Sequence, residues 1–246
     1  VKKIAFHIQK GGTGKTTLSG NCGAYLSRDI KVCLIDCDPQ ASLSSWFIKS
    51  GLKYELSDYL QEKASIEDVI LSLSKNLSLI PSVSIDGSLK QFAETQLIKQ
   101  IYAFVDLTEA IEKLNYDLLI FDLGPRMGIL ERHVIMSLDE IICPVLPEFF
   151  SFDGIEIFNN ELKQINRNYR ADVKFKKITC NMVNKSFRRH LEYIDELKKM
   201  DYELFMVPQD SQLAEAQIFG KSIFDYNAQS RSVPDIEKLS KAIMGE

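Results

Sequence analysis

The chain has 246 residues, 45% of them apolar, and a formal net charge of −4, so it has material for a sizeable core but no whole-molecule attraction to nucleic acid or an acidic membrane; any such contact must come from a local patch. Its five cysteines, Cys22, Cys33, Cys37, Cys143 and Cys180, form no C-x-x-C pair, which gives a zinc or iron–sulfur site little support and fits a reducing, cytoplasmic setting. No membrane-length apolar run and no signal peptide can be read in it.

Residues 4–8 are an apolar run that reads as a strand. They lead into Gln9-Lys10-Gly11-Gly12-Thr13-Gly14-Lys15-Thr16-Thr17, and residues 18–27 lead out as a helix. Strand, glycine-rich turn and helix are the setting in which a G-K-[ST] ending marks a phosphate-binding loop. Glycines let successive N–H groups turn inward without a Cβ in the way, and the helix N-terminus adds partial positive charge. In such a loop Lys15 reaches the β- and γ-phosphates and the Thr16 hydroxyl holds Mg2+. Gly11, Gly12, Thr13, Gly14, Lys15, Thr16 and Thr17 are the expected nucleotide cradle. The alternative is a tight strand–helix turn with an ordinary lysine.

Residues 31–37 follow as a second buried strand, its run from Val32 to Ile35 continuously apolar as expected of a parallel strand covered on both faces, and it ends in Asp36-Cys37-Asp38-Pro39-Gln40. Several short helices are predicted in 40–73, a third strand in 76–83, and a helical stretch in 89–114, broken near Val105-Asp106. Residues 116–123 form the next strand, closed by Asp122 and ended by Gly124-Pro125. Then come a helix (129–138), a strand (140–147), a helix (152–169) and a strand (175–183). Phe187, Leu191, Ile194 and Leu197 recur at helical spacing, which predicts a helix over 187–200 with one apolar face. A strand (202–207), a short helix (213–219) and a closing helix (234–244) complete the chain.

This alternation predicts one doubly wound α/β domain over residues 1–246, a mostly parallel sheet with helices on both faces and ligand at the carboxyl ends of the strands. Asp36, Asp38 and Asp122 would share that edge with the loop. Nucleotide-bound Mg2+ takes one or two carboxylates plus waters, and hydrolysis needs a group that positions a water. A strand-end aspartate taken alone also serves as a cap for the following helix.

The stretch Lys10-Gly11-Gly12-Thr13-Gly14-Lys15-Thr16-Thr17 resembles the deviant Walker A box of the ParA/MinD superfamily of P-loop ATPases. The resemblance implies that Lys10 reaches across an ATP-sandwich dimer to the partner's nucleotide. Leu34-Ile35-Asp36-Cys37-Asp38-Pro39-Gln40 is similar to the family's switch I box, which implies water activation by Asp38 and contact of Asp36 with Mg2+ through water. Asp122 would be the Walker B acid of a box that usually ends Asp-x-Pro-Pro; this chain has Gly124 at the first proline, a departure that loosens switch II. Pro147-Glu148-Phe149-Phe150-Ser151-Phe152-Asp153-Gly154, Leu213-Ala214-Glu215-Ala216 with Gly220-Lys221, and Tyr226-Asn227-Ala228-Gln229-Ser230-Arg231 resemble further family segments. By the same resemblance Asn181 and Pro208 lie where adenine is held.

Cluster cysteines of the iron-protein branch and the basic amphipathic C-terminal helix of MinD are missing from this sequence, which resembles a short, Soj-type ParA without an N-terminal helix-turn-helix. That resemblance implies an ATP-dependent homodimer that binds DNA without sequence preference. It also implies Mg2+-dependent hydrolysis, slow and stimulated by a ParB-type partner, that segregates plasmid or chromosome. The protein would be cytoplasmic, nucleoid-associated when ATP-bound, and without a membrane partner. Lys185, Arg188 and Arg189 are the candidate DNA contacts, the alternative being a solvated helix face. Part of the family has an arginine just before the L-x-E-A segment, where this chain has Ser211-Gln212. Gly124 and Gln212 favour a second reading, a nucleotide-gated positioning or scaffold protein with weak hydrolysis that docks on protein rather than DNA.

Overall fold

A computed structural model describes residues 1–84, 87–148 and 151–245, with the backbone alone at Ser151. The chain opens with β1 (Lys2–Phe6), α1 (Lys15–Leu26) and β2 (Val32–Asp36). Three short helices, α2 (Ser42–Phe47), α3 (Leu56–Leu60) and α4 (Ile66–Val69), lead to β3 (Leu71–Ser72) and β4 (Leu77–Ile80). Next come α5 (Ser88–Thr95), α6 (Ala103–Glu112), β5 (Leu118–Asp122), α7 (Ile129–Ile135) and β6 (Glu140–Val145). The last third holds α8 (Ser151–Tyr169), β7 (Lys174–Val183), α9 (Arg188–Leu197), β8 (Glu203–Pro208), α10 (Ser211–Ile218), α11 (Ile223–Tyr226) and α12 (Val233–Met244).

The strands join in the order β3-β4-β2-β5-β1-β6-β7-β8. Every pairing is parallel except that of β3 with β4. All residues of β2, β5 and β6 are buried, and the reason lies in the two-residue period of a strand. Ala5, Cys33, Ile35, Leu119 and Phe121 join one core with Phe92, Phe104, Leu107 and Phe158 from the helices. Their neighbours Ile4, Phe6, Leu34, Leu118 and Ile120 join a second core with Leu18, Trp46, Ile236 and Leu239. A strand that feeds two cores reads as an unbroken apolar run. The doubly wound α/β architecture is therefore as expected.

Three details differ from the sequence reading. The helical stretch is interrupted between Thr95 and Ala103, while Val105 and Asp106 sit inside α6; Phe104, Leu107, Thr108 and Ile111 are buried at helical spacing and carry the helix through that point. The region predicted as short helices also holds β3, held by backbone pairing to β4 rather than by any pattern of its own. On α9 only part of the apolar stripe is covered: Ile194 and Leu197 are buried with Tyr193, but Phe187 and Leu191 are exposed. Phe149 and Phe150, part of one family-like segment, lie outside the described residues. Among the described residues no helix is long and apolar enough to cross a membrane.

What positions the site is the insertion of β5 between β1 and β2. Its register sets Asp122 beside Phe6 on one side and beside Asp36 on the other. The carboxyl ends of three strands, each followed by a loop, thus meet on one edge of the sheet.

Candidate functional site at the carboxyl ends of β1, β2 and β5

The glycine-rich loop ends at Gly14, whose φ of 90° lies in the left-handed region that glycine adopts without strain. A side chain is excluded there for a second reason: a Cβ on Gly14 would stand 2.1 Å from Asn181 Nδ2. Asn181, nearly fully buried at the end of β7, donates from Nδ2 to the Thr13 carbonyl at 2.9 Å and accepts the Met182 N–H through Oδ1. It thereby clamps the loop from the end of β7, two strands along the sheet from β1. Lys15, the first residue of α1, is 7% exposed and donates from Nζ to the Lys10 carbonyl at 2.9 Å. Burial lowers its pKa, while the nearby Asp122 and Asp38 oppose that shift.

The two strand-end aspartates differ in how they are satisfied. Asp36 accepts the Ser44 N–H at 2.8 Å, the Ser44 hydroxyl at 2.7 Å and the Asp38 N–H at 3.1 Å. It holds the switch I loop against the start of α2, the capping role a strand-end aspartate can take. Ser82 extends this network, donating its N–H to Ser44 Oγ and its hydroxyl to the Asp36 carbonyl. Asp122, fully buried, accepts the Ser19 hydroxyl at 3.4 Å through Oδ1, and the Thr16 hydroxyl lies near enough to oppose the rise in its pKa. Among the described residues its Oδ2 has no hydrogen-bond partner, and neither has Thr13 Oγ1. Burial raises the pKa of both carboxyls, and their mutual repulsion adds to the shift of Asp122. A buried carboxylate oxygen without a partner among the described residues, with the Thr16 hydroxyl beside the same carboxyl, is what a hard cation with oxygen ligands requires. Thr16 and Asp122 fit Mg2+, with Asp36 close enough along the sheet to act through a water.

Asp38 accepts the Gln40 N–H at 2.9 Å through Oδ1 and lines a cavity of about 390 Å3 with Pro39, Gln40, Gly124, Arg126 and Glu131. Lys10 Nζ meets Glu148 Oε2 at 2.6 Å in the same chain. The Thr17 hydroxyl accepts Gln217 Nε2 at 2.9 Å, which ties the loop to α10. Gly11 and Gly12 form the exposed rim of the loop. Pro208 lines a second cavity, of about 400 Å3, with Val183, Asn184, Lys185, Arg231 and Asp235. Asn181 is placed against the phosphate loop and does not line that cavity.

Two of the three candidate DNA contacts have an acidic neighbour. Arg188 is 90% exposed and pairs with Glu192 at 2.8 Å. Lys198 and Lys199 pair with Asp195 and Glu196, and the charge of Lys185 reaches Asp235, where it opposes the rise that burial gives that carboxyl's pKa. Arg189 is exposed.

Sequence reasoning missed Ser44, Gln217 and Glu131. Only Glu131 left a trace, a Gly-x-x-Glu spacing before an apolar run that matches half of a capping box.

A family model described as an AAA domain matches residues 1–175. The chain is 44% identical over 245 residues to the uncharacterized protein BBD21 of Borreliella burgdorferi, covering 99% of each. It is 30% identical over 252 residues to the sporulation initiation inhibitor protein Soj of Bacillus subtilis, covering 98% of each. A Borrelia burgdorferi B31 protein assigned to plasmid partition and bound to AMPPNP superposes with a TM-score of 0.79 at 22% identity, over 99% of this chain and 96% of that one; at that identity the likeness is one of fold. The chain belongs to the ParA/MinD superfamily of P-loop ATPases, on its Soj-like side.

Proposed function

We propose that the protein is a ParA-type partition ATPase, with residues 1–246 acting as one P-loop ATPase domain. The observation that carries this reading is the meeting of Lys15, Thr16, Asp36, Asp38 and Asp122 at the carboxyl ends of adjacent strands, with Asp122 Oδ2 buried and unpartnered among the described residues. AMPPNP in the Borrelia burgdorferi relative supports ATP as the nucleotide.

In this reading the N–H groups of residues 11–17 cradle the phosphates of ATP. Lys15 faces the β- and γ-phosphates, and Asn181 keeps the loop in shape through the Thr13 carbonyl. Thr16 and Asp122 hold Mg2+, with Asp36 acting through water; the bound ion neutralises charge on the phosphate oxygens. Asp38 positions the attacking water. The cavity at Pro208 takes the adenine end. Lys10 exchanges Glu148 for the nucleotide of a second copy, so that ATP drives a homodimer. The dimer binds DNA without sequence preference through Lys185, Arg188 and Arg189. A ParB-type partner stimulates hydrolysis, and the cycle segregates plasmid or chromosome. The protein then works in the cytoplasm, on the nucleoid when ATP-bound, and needs no membrane.

One observation favours the second reading, a nucleotide-gated positioning protein that docks on protein: Arg188 of α9 is paired with Glu192 of the same helix, and Lys198 and Lys199 just past its end are paired with its acids Asp195 and Glu196. Lys15→Ala tests what the two readings share. It removes the main cationic contact of the phosphates, so calorimetry should show ATP binding lost, and binding at full strength would remove the nucleotide site from this loop. Binding to random duplex DNA, with ATP and with ADP, separates the two readings: affinity that rises sharply with ATP supports partition, and none with either supports protein docking.

A further inference from the structure

Gly124 stands where the family's switch II box usually has proline, and its backbone does not explain it. Its φ is not in the left-handed region, unlike those of Gly12 and Gly14. Space explains it instead. A Cβ on Gly124 would lie 3.3 Å from Asp38 Oδ1 and 3.3 Å from Glu131 Oε1, tighter than ordinary van der Waals contact. The bare Cα therefore lets two carboxyl groups approach one point of the switch II backbone.

The two carboxyls are not equally anchored. Glu131 is in the first turn of α7, 6% exposed, and its Oε2 accepts the Gly128 N–H at 2.9 Å. Asp38 lies on a loop, and its Oδ1 accepts the N–H of exposed Gln40. Between a carboxyl seated on a helix and one on a loop, mutual repulsion displaces the loop group. Both line the same cavity, with Arg126 at its rim, and the charge of Asp38 acts with burial to raise the pKa of Glu131.

We propose that Glu131 is a positioning residue for hydrolysis: across the gap left by Gly124 it sets the Asp38 carboxyl toward the phosphate loop, and Gly124 is present to admit it. This rests on the reading of Asp38 as the group that positions water. Glu131 itself touches neither nucleotide nor metal. On the side of the phosphate loop, the charge of Asp38 reaches Lys15, where it opposes the fall that burial gives the lysine's pKa.

The test combines turnover with a measurement that needs no nucleotide. Glu131→Gln keeps the size and the acceptor for the Gly128 N–H, so it should leave the melting temperature and the KM for ATP near wild type. It should lower kcat about tenfold, the scale of a small misplacement. Gly124→Ala should lower kcat by a similar factor in the wild type, and by much less in a Glu131→Ala background, because one of the two close contacts is gone. In nucleotide-free protein the same two substitutions, followed by thermal unfolding, should also be non-additive, as expected of residues that share space. Wild-type kcat in Glu131→Gln, in a wild type that turns over ATP, would overturn the positioning role alone. Additive melting-temperature changes would overturn the shared space. A wild type without ATP turnover would take down the ATPase reading, and the positioning role with it.

Discussion

Asp38 depends on its loop for position, whereas Asp36 and Asp122 are built into the sheet. Removing its carboxyl should therefore cost chemistry and not binding. Asp38→Ala is expected to bind ATP at wild-type strength and to lose hydrolysis by a factor on the order of 10²–10⁴, the usual yield of a positioned acid–base group. It should accumulate as an ATP-bound dimer. Steady-state turnover beside calorimetric binding is the measurement, and wild-type turnover would show that the water is held elsewhere. His7 gives a second expectation at this scale. It is fully buried under the loop, both ring nitrogens lack hydrogen-bond partners among the described residues, and burial together with Lys15 lowers its pKa to about 3. An ordinary histidine in the unfolded chain titrates near ~6.5, so on acidification the unfolded state binds the extra proton. The stability that neutral His7 contributes is full above that value and is lost as pH falls toward 3. Wild type should lose up to about 1.4 kcal/mol per pH unit more than His7→Gln between roughly pH 6 and 4. Parallel stability curves for the two proteins would refute this.

Among the elements, α9 carries the least settled function. Its buried side is Tyr193, Ile194 and Leu197; its arginines stand off that side, Glu192 answers Arg188, and Asp195 and Glu196 answer Lys198 and Lys199 just past its end. If Arg188 and Arg189 nevertheless meet phosphates, each contact releases about one counterion. Replacing both by alanine should then lower the slope of log affinity against log salt by roughly two per protomer, and weaken all DNA sequences alike. The measurement is a salt titration on random duplex DNA with ATP. An unchanged slope with unchanged affinity would make α9 a solvated face and move the protein-docking reading ahead. The position of this helix is legible from its period, whereas the pairing of Arg188 with Glu192 is decided by the structure, because a period says which side is apolar and nothing about which charges meet.

At the scale of the whole molecule the expected event is ATP-dependent pairing of two copies. Lys10 now meets Glu148 of its own chain, an ion pair with both side chains partly in water and so of small net worth, on the order of 0–1 kcal/mol. Such a contact can be exchanged for a phosphate at little cost. Lys10→Ala should bind ATP as a monomer but fail to dimerise, as sedimentation with ATP would show; a dimer of wild-type strength would remove the proposed role of Lys10. The sequence by itself determined the α/β alternation, the phosphate loop and the candidate acids, because glycine spacing, strand-end aspartates and apolar runs are local signals. Tertiary structure alone decided that among the described residues Asp122 keeps an unpartnered oxygen while Asp36 is bound by Ser44, that Asn181 holds the loop and Gln217 holds Thr17, and that Gly124 faces Glu131 and Asp38. Each of these contacts joins different elements, and those between distant parts of the chain, such as Asn181 with the Thr13 carbonyl, form only when sheet order brings the ends of β7 and β1 to one edge. A hydrogen bond needs its partner within about 3 Å, and distances of that kind are set by sheet order, not by spacing in the sequence.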